Sequence, residues 1–418
     1  MTRPAGEGKN WISVAPTACE AVARAPGERL RSRARRSRRA AIFWSSLVKP
    51  PDCKTAYHLL IPSSSQELTR GPSSFFFFDS VTPRPSKGPI SKLTDSLRSK
   101  AAGLRDGTGS QDDEHGHRIG LSPSRGWGRR NVEFIGKVLI PQAVKLRRGR
   151  ERSLEAVDVP AGKARIIWIG HASFLVQMAG LNILIDPVWA PWLAVVKRAH
   201  CPGLSLHELP RIDLVLISHA HHDHLDVPTL EAVSDGQPII VPKGVGSLVR
   251  RRGFGSVHEM GKWDSLRVGE LEVLFTPARH WGARYVHDVH RGFGGYVLRQ
   301  PEVETMTGGA ATTVYHSGDS AYFDGFHEIG RRFPIEVALI PIGAYRPVSG
   351  RGVHMNPEES LAAFRDVGAK RMVPMHYGTY ALTREPLDEP LQRLMLASSS
   401  TGLRHMIDVL EPGEPRLY

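Results

Sequence analysis

The sequence predicts an α/β fold over residues 131–418, and three observations support that prediction. Short runs of apolar, largely β-branched residues recur from about residue 165, helical stretches lie between them, and several runs are apolar nearly throughout. Leu214–Ile217 and Val337–Ile340 have the pattern of strands that are buried on both faces. Strands and helices that alternate in this way build a sheet structure with helices on its outer faces.

The individual elements follow from local sequence. One helix is predicted over Pro228–Val233, after Asp226, and a second begins at the N-cap Asn356 and ends before Gly368. The predicted strands are Arg165–Ile169, Phe174–Gln177, Asn182–Ile185, Asp213–Ile217, Pro238–Val241, Glu272–Thr276, Gly295–Leu298, Thr313–His316 and Glu336–Pro341.

Residues 1–130 have a different composition. Residues 1–150 carry 28 of the 55 Lys and Arg residues but only 12 of the 42 Asp and Glu residues, so the later part is nearly neutral. Arg29–Arg39 is a run of like charge, and Ser, Pro and Gly are frequent around it. We expect a disordered extension or a misplaced coding start; a tether for nucleic acid or anionic lipid is the alternative.

Composition also restricts the class of protein. Three cysteines, Cys19, Cys53 and Cys201, are too few for a disulfide framework or a thiolate zinc site. No apolar run reaches the roughly 18–20 residues that span a bilayer, and Ala40–Val48 is marginal as part of a secretory signal. We expect a soluble, cytoplasmic protein, with peripheral contact at the membrane as an alternative.

The strongest motif is His219-Ala220-His221-His222-Asp223-His224, directly after an apolar strand. Imidazole nitrogens and carboxylate oxygens suit Zn²⁺, and two histidines at i and i+2 in extended backbone project the same way. Asp223 and His224 lie where the chain turns towards a helix, so they face a neighbouring point. The motif therefore predicts the beginning of two adjacent metal sites.

Three further residues occur in the same context, at the end of a β run: His280, Asp319 and His376. Each alone would more often be structural. Together with the motif they give five histidines and two aspartates, enough for two metals that share a carboxylate. Strand ends of an α/β sheet are where such sites are expected.

The order HxHxDH, His, Asp, His resembles the metallo-β-lactamase superfamily, and in particular its branch of N-acylphosphatidylethanolamine-hydrolysing phospholipase D. Segments that carry the resemblance include Ile167–Ala172, Leu184–Pro187, Pro277–Trp281 and His376–Thr379. It implies an αββα sandwich with two Zn²⁺ ions. One zinc would take His219, His221 and His280, the other Asp223, His224 and His376, and Asp319 would bridge both.

The same resemblance implies a mechanism and a substrate. A hydroxide that bridges the metals would attack the phosphorus of a lipid or small-molecule phosphodiester, such as an N-acylphosphatidylethanolamine. Asp223 would orient the nucleophile or relay a proton, and His354 would contact substrate. We expect Asp226 to fix imidazole tautomers, and His171 to be structural.

Other hypotheses about function compete with that of a phospholipase. A lactonase or other carbonyl hydrolase has the same fold, and a nuclease that processes RNA or DNA uses the same motif. The neutral catalytic part argues against nucleic acid as a partner. A scaffold without activity would be expected to have lost some of the seven ligand positions. The resemblance favours a homodimer.

A lipid substrate requires apolar residues near the site. Val188–Val196 is the longest apolar stretch of the domain, and Lys197 and Arg198 follow it. The membrane hypothesis places Trp189 and Trp192 at the surface, with the two cations directed at headgroups. The alternative is a buried core segment, since a run of this length is ambiguous.

Overall fold

The computed structural model describes residues 132–285, 288–300, 311–347 and 351–418. The predicted extension over residues 1–130 lies outside these ranges. Among the described residues, no helix is both long and apolar enough to cross a membrane.

Two β-sheets form the centre of the fold. The first has the strand order β15-β1-β2-β3-β6-β7-β8 and the second β14-β13-β12-β11-β10-β9, while β4 and β5 form a small hairpin. The strands are β1 Ala164–Gly170, β2 Ser173–Met178, β3 Leu181–Ile185, β4 Trp192–Leu193, β5 Val196–Lys197, β6 Leu214–Leu216, β7 Pro238–Pro242, β8 Ser256–Met260, β9 Ser265–Val268, β10 Leu271–Thr276, β11 Gly295–Arg299, β12 Val314–His316, β13 Val337–Pro341, β14 Arg371–Met375 and β15 Pro415–Leu417.

Helices cover the outer faces. The α-helices of the described residues are α1 Ile140–Val144, α2 Val227–Val233, α3 Gly246–Val249, α4 Gly325–Arg332, α5 Pro357–Val367 and α6 Glu389–Ser400, and the other helical segments are Ile135–Leu139, Leu206–Glu208 and Arg404–Met406. Asp226 caps α2, and α5 begins with a capping box between Asn356 and Glu359 and ends at Gly368 in the left-handed conformation. The start and end predicted for α5 are therefore confirmed.

Alternate side chains of β1 point to opposite faces of the first sheet and pack in two different hydrophobic cores. Ile166 and Trp168 belong to the core between the two sheets, whereas Ile167 and Ile169 pack in a second core with Leu230 of α2. Helices α4, α5 and α6 pack against one another and cover the second sheet, where α5 contacts β13. This arrangement is the predicted αββα sandwich.

The structure contradicts one requirement of the membrane hypothesis for Val188–Val196 and one feature that supported it. Trp189 is buried and donates its Nε1–H to the carbonyl of Leu204 at 2.8 Å, although Trp192 is 43% exposed. Arg198 is fully buried, and its guanidinium donates to the carbonyls of Val188, Ile169 and His200. A guanidinium whose donors are satisfied by buried carbonyls is not available to lipid headgroups.

Candidate metal centre

The predicted ligands meet at one edge of the sandwich because of strand direction. In the second sheet β12, β13 and β14 are parallel, and β10 runs the same way because two antiparallel steps separate it from β12. In the first sheet β3 and β6 are parallel, and β1 runs with them for the same reason. The loops after these strands carry the ligands, as sequence reasoning expected.

Three imidazoles converge in the first cluster. His219 Nε2 lies 2.8 Å from His221 Nδ1, and His280 Nε2 lies 3.3 Å from the same atom. His219 and His221 follow β6 of the first sheet, whereas His280 follows β10 of the second. The three ligand atoms lie within 4.8 Å of one another, which is the spacing that a shared cation requires.

A second cluster lies beside the first. Asp223 Oδ2 is 3.7 Å from His224 Nε2 and 3.3 Å from His376 Nε2. Asp319 Oδ2 lies between the clusters: it is 3.2 Å from His224 Nε2 and 3.1 Å from His376 Nε2, and also 3.9 Å from His219 Nε2. The structure thus brings all seven predicted ligands together, with Asp319 in the position of a shared carboxylate.

Asp186 sets the orientation of two imidazoles. Its Oδ2 accepts the Nδ1–H of His224 at 2.7 Å, and it accepts the hydroxyl of Ser218 at 2.5 Å. The Ser218 oxygen is then free to accept from His219 Nδ1 at 2.9 Å. Both rings consequently direct their Nε2 atoms towards the clusters.

The expectation that Asp226 fixes these tautomers is wrong. Asp226 instead accepts hydrogen bonds from the backbone N–H and the hydroxyl of Thr229, at 3.2 and 2.6 Å, as the N-cap of α2. The short distance between Asp226 and the first helical turn satisfies its carboxylate locally. Asp186, which follows β3, has the role that was expected of Asp226.

His280 is oriented by the backbone. Its Nδ1–H donates to the carbonyl of Val353 at 2.9 Å, so its Nε2 also presents a lone pair to the first cluster. Within the described residues, the buried atoms His224 Nε2 and Asp319 Oδ1 have no hydrogen-bond partner. Three histidine Nε2 atoms that point at one another and at carboxylates fit a cation between them.

Charges in the cluster divide into two kinds. Burial raises the pKa of Asp223 and Asp319, but the neighbouring imidazoles outweigh it and hold both pKa values well below the usual range. Burial lowers the pKa of His219 and His280 well below 6.5, so these rings are neutral. Ionised carboxylates and neutral imidazoles are the forms that bind metal.

The histidines of the second cluster differ from His219 and His280 because their pKa values are raised. Burial alone would lower the pKa of His376, but Asp319 and Asp223 raise it to about 9. The pKa of His224 is also raised well above 6.5, since Asp319, Asp186 and Asp223 outweigh burial.

His354 and Asp223 lie on the open side of the clusters. Their side chains are 17% and 13% exposed, whereas that of Asp319 is 1% exposed. His354 Nδ1 is 3.8 Å from Asp319 Oδ2, and burial lowers the pKa of His354 to about 4. Both residues that were predicted to be catalytic therefore reach the solvent side of the predicted metals.

His171, which the sequence analysis expected to be structural, lies in the site. Its Nε2–H donates to Asp223 Oδ2 at 2.9 Å, and its ring packs 3.9 Å from the ring of His376. Burial lowers its pKa to about 3, so the ring is a neutral donor to a predicted ligand. The signal that could have found it is its place at the end of β1, which parallels the other ligand-bearing strands.

The remaining histidines of the motif regions are separate from the clusters. His222 is exposed and packs edge-on against Tyr285, with ring centroids 5.8 Å apart. His316 is buried in β12 and lies 3.2 Å from the carbonyl of Ala172. Neither residue was assigned as a ligand.

Backbone geometry at the strand ends is unusual. His171, Asp186 and His376 have positive φ angles of 57°, 44° and 60°, which non-glycine residues rarely adopt. Gly318, before Asp319, has φ of 59°, and a Cβ there would lie 2.4 Å from the carbonyl oxygen of Gly294. Strained backbone of this kind concentrates at functional sites, where it fixes side-chain direction.

Comparison with known proteins agrees with the geometry. Residues 181–377 match the family model described as a beta-lactamase superfamily domain. An uncharacterised protein of Mycobacterium tuberculosis is 35% identical over 251 residues, which are 57% of this chain and 65% of the relative. The match thus spans slightly less than two thirds of that relative's length.

Two further relatives match a larger share of their own length. A UPF0173 metal-dependent hydrolase of Pyrobaculum arsenaticum is 31% identical over 60% of this chain and 98% of the relative. N-acyl-phosphatidylethanolamine-hydrolyzing phospholipase D 1 of Caenorhabditis elegans is 31% identical over 54% of this chain and 67% of the relative. The chain therefore belongs to the metallo-β-lactamase superfamily.

Proposed function

We propose that this chain is a binuclear zinc-dependent phosphodiesterase of the phospholipase D type, acting on lipids like N-acylphosphatidylethanolamine. The observation that carries the proposal is the pair of adjacent clusters that share Asp319, since its Oδ2 lies 3.1 Å from His376 Nε2 and 3.9 Å from His219 Nε2. Paired metals are suited to phosphodiesters, where attacking and leaving oxygens both need stabilisation.

The donor set supports one allocation of ligands. His219, His221 and His280 would hold one zinc, Asp223, His224 and His376 the other, and Asp319 would bind both. When bound, two zinc ions lower the pKa of water towards about 7 and neutralise the charge of a phosphodiester.

Protein groups on the open side would handle protons and substrate. The Oδ2 of Asp223 is fixed by His171 at 2.9 Å, which leaves its second oxygen to orient the nucleophile or relay a proton. His354 is neutral near pH 7 and partly exposed, so it would contact the phosphodiester or the leaving group.

The lipid substrate is supported by the similarity to a phospholipase of that name. A lipid substrate also implies contact with the membrane that contains it, through a surface other than Trp189 and Arg198, which are buried. The family resemblance makes a homodimer the expected assembly. No described feature favours nucleic acid as a partner.

Zinc content and a substrate panel test the proposal. The purified protein should bind about two zinc ions and hydrolyse N-acylphosphatidylethanolamine in vesicles and a soluble phosphodiester. His219→Ala and His376→Ala should each lose zinc and activity, whereas His222→Ala is the matched control within the same motif and should retain both. Hydrolysis of lactones with no turnover of any phosphodiester would contradict the proposal and favour a carbonyl hydrolase.

A further inference from the structure

Arg284 connects the chain segment that follows His280 to the metal-binding motif. Its Nη1 donates to the carbonyl of Ala220 at 2.8 Å and to the carbonyl of Leu225, also at 2.8 Å. Ala220 lies between two ligands of the first cluster, and Leu225 directly follows a ligand of the second. One guanidinium nitrogen therefore joins both ends of the motif loop, residues 219–225.

The two carbonyls need this donor because water does not reach them. Ala220 and Leu225 are fully buried, whereas Arg284 is half-buried. A terminal guanidinium nitrogen carries two N–H groups, which matches the two carbonyl oxygens. A charged donor forms a stronger hydrogen bond than a neutral one, and a buried carbonyl left without a donor is destabilising.

The bonds inside the motif loop are local. The carbonyl of His221 accepts the backbone N–H groups of His224 and Leu225 at 3.1 and 2.8 Å, and these bonds close a turn. They fix the loop internally but do not fix it against the second sheet. Arg284 supplies that connection, and Trp281 of the same segment packs against the His221 ring, with ring centroids 4.8 Å apart.

The segment that carries Arg284 is itself closely packed. A Cβ on Gly282 would lie 2.0 Å from the carbonyl oxygen of Arg291, so the two chain segments approach as closely as a glycine allows. Asp288 accepts the backbone N–H of Tyr285 at 2.6 Å and the Nε–H of Arg291, also at 2.6 Å. Arg284 consequently extends from an anchored backbone, which suits a residue that holds another loop in place.

We propose that Arg284 is a positioning residue, which holds the motif loop in the conformation in which its histidines and aspartate bind zinc. It acts through the carbonyls of Ala220 and Leu225, so its loss affects the ligands of both clusters. The proposal rests on the zinc sites proposed above and is independent of the substrate. Groups that orient metal ligands from outside the ligand set commonly change metal affinity when they are replaced.

Zinc competition with a chromophoric chelator tests the proposal on the full chain. Arg284→Met keeps an unbranched side chain but has no N–H donor, so the affinity for each bound zinc should fall by about 10–100-fold. Arg284→Lys keeps a cation with three N–H donors and should retain more of the affinity than Arg284→Met. If Arg284→Met does not fold, Arg284→Gln replaces it in the comparison, because its shorter amide does not reach both carbonyls.

Arg371→Met is the matched control for a general loss of stability. Arg371 is also half-buried and donates to a carbonyl, that of His405 at 2.7 Å. It begins β14, whereas the predicted ligand His376 follows the other end of that strand. Urea unfolding of the metal-free protein should show that Arg371→Met is destabilised, yet its zinc affinity should equal that of the wild type.

Four outcomes would overturn the proposal. They are wild-type zinc affinity in Arg284→Met, equal losses in Arg284→Met and Arg284→Lys, an equal loss in Arg371→Met, and unchanged zinc affinity with a raised KM for a soluble phosphodiester. The last would mean that Arg284 contacts substrate instead of the loop. Failure of the proposed function gives a different result: if the wild type binds zinc but hydrolyses no phosphodiester, the reaction is wrong, and the affinities still decide the role of Arg284.

Discussion

Replacement of Asp186 by Asn should weaken metal binding in both clusters, although Asp186 itself is not a predicted metal ligand. The Asp186 carboxylate is fully buried and accepts three hydrogen bonds: from the Ser218 backbone N–H at 2.6 Å, from its hydroxyl at 2.5 Å and from His224 Nδ1 at 2.7 Å. An asparagine has one acceptor oxygen and one NH₂ group. In Asp186→Asn, the NH₂ group would therefore face one of the three groups that donate to Asp186 in the wild type.

The size of the effect follows from these contacts. Removing one partner of a buried charge pair costs roughly 3–5 kcal/mol, and His224 carries a proton in the metal-free protein because its pKa is raised well above 6.5. We expect Asp186→Asn to lower the free energy of unfolding of the metal-free protein by about that amount. Zinc affinity should fall by about 10–100-fold, because His224 and, through Ser218, His219 lose their fixed orientation.

Urea unfolding of the metal-free protein and zinc competition with a chromophoric chelator measure these two quantities. Asp226→Asn is a matched control with the same chemical change. Asn is as good an N-cap as Asp, so this variant should change stability by less than about 0.5 kcal/mol and leave zinc affinity unchanged. Wild-type zinc affinity in Asp186→Asn, or an equal loss in Asp226→Asn, would refute the reasoning.

The other predictions concern single residues. Asp223→Asn should reduce hydrolysis by more than ~10³-fold with the fold intact, since it removes a charge beside the nucleophile; near-wild-type rates in zinc-replete enzyme would contradict this, with circular dichroism as the check on folding. Trp189→Ser should lower the free energy of unfolding by about 3–5 kcal/mol because it empties a buried site, whereas the exposed Trp192→Ser should change it by less than about 0.5 kcal/mol; equal effects in urea titrations would show that the burial is misassigned. Zinc binding near pH 7.5 should release at least one proton, because the metal-free pKa of His376 is about 9 and bound imidazole is neutral, and this release should decline as pH rises through 9. Calorimetry in buffers of different ionisation enthalpy measures it, and no proton release at pH 7.5 would exclude His376 as a ligand.

Much of the sandwich could be predicted because its central strands are apolar on both faces. Val337–Pro341 and Leu214–Leu216 are buried at every position, and the sequence shows each as an unbroken apolar run. Ser256–Met260 and Ser265–Val268 were missed because they are half-polar and only partly buried. Pairing with β7 stabilises β8, and pairing with β10 stabilises β9. Such pairing between strands cannot be predicted from the local sequence of either strand.

The site was predictable where several ligands lie close together in sequence. His219, His221, Asp223 and His224 form one motif, whereas His171 and Asp186 are isolated polar residues after β1 and β3. The rule that strand ends at one sheet edge carry functional side chains, applied to the first sheet as well, would have found both.

Both sheets contribute to each metal cluster, and this has a consequence for stability. His219 and His224 come from the first sheet, while His280, Asp319 and His376 come from the second. The edge also contains left-handed residues at His171, Asp186 and His376, each unfavourable by roughly 1–3 kcal/mol in backbone conformation. A ligand that binds only the folded protein stabilises it by RT ln(1 + [L]/Kd), about 4 kcal/mol at a thousandfold excess over Kd. Metal bound across the two sheets would therefore offset the strain at the edge where the sheets meet.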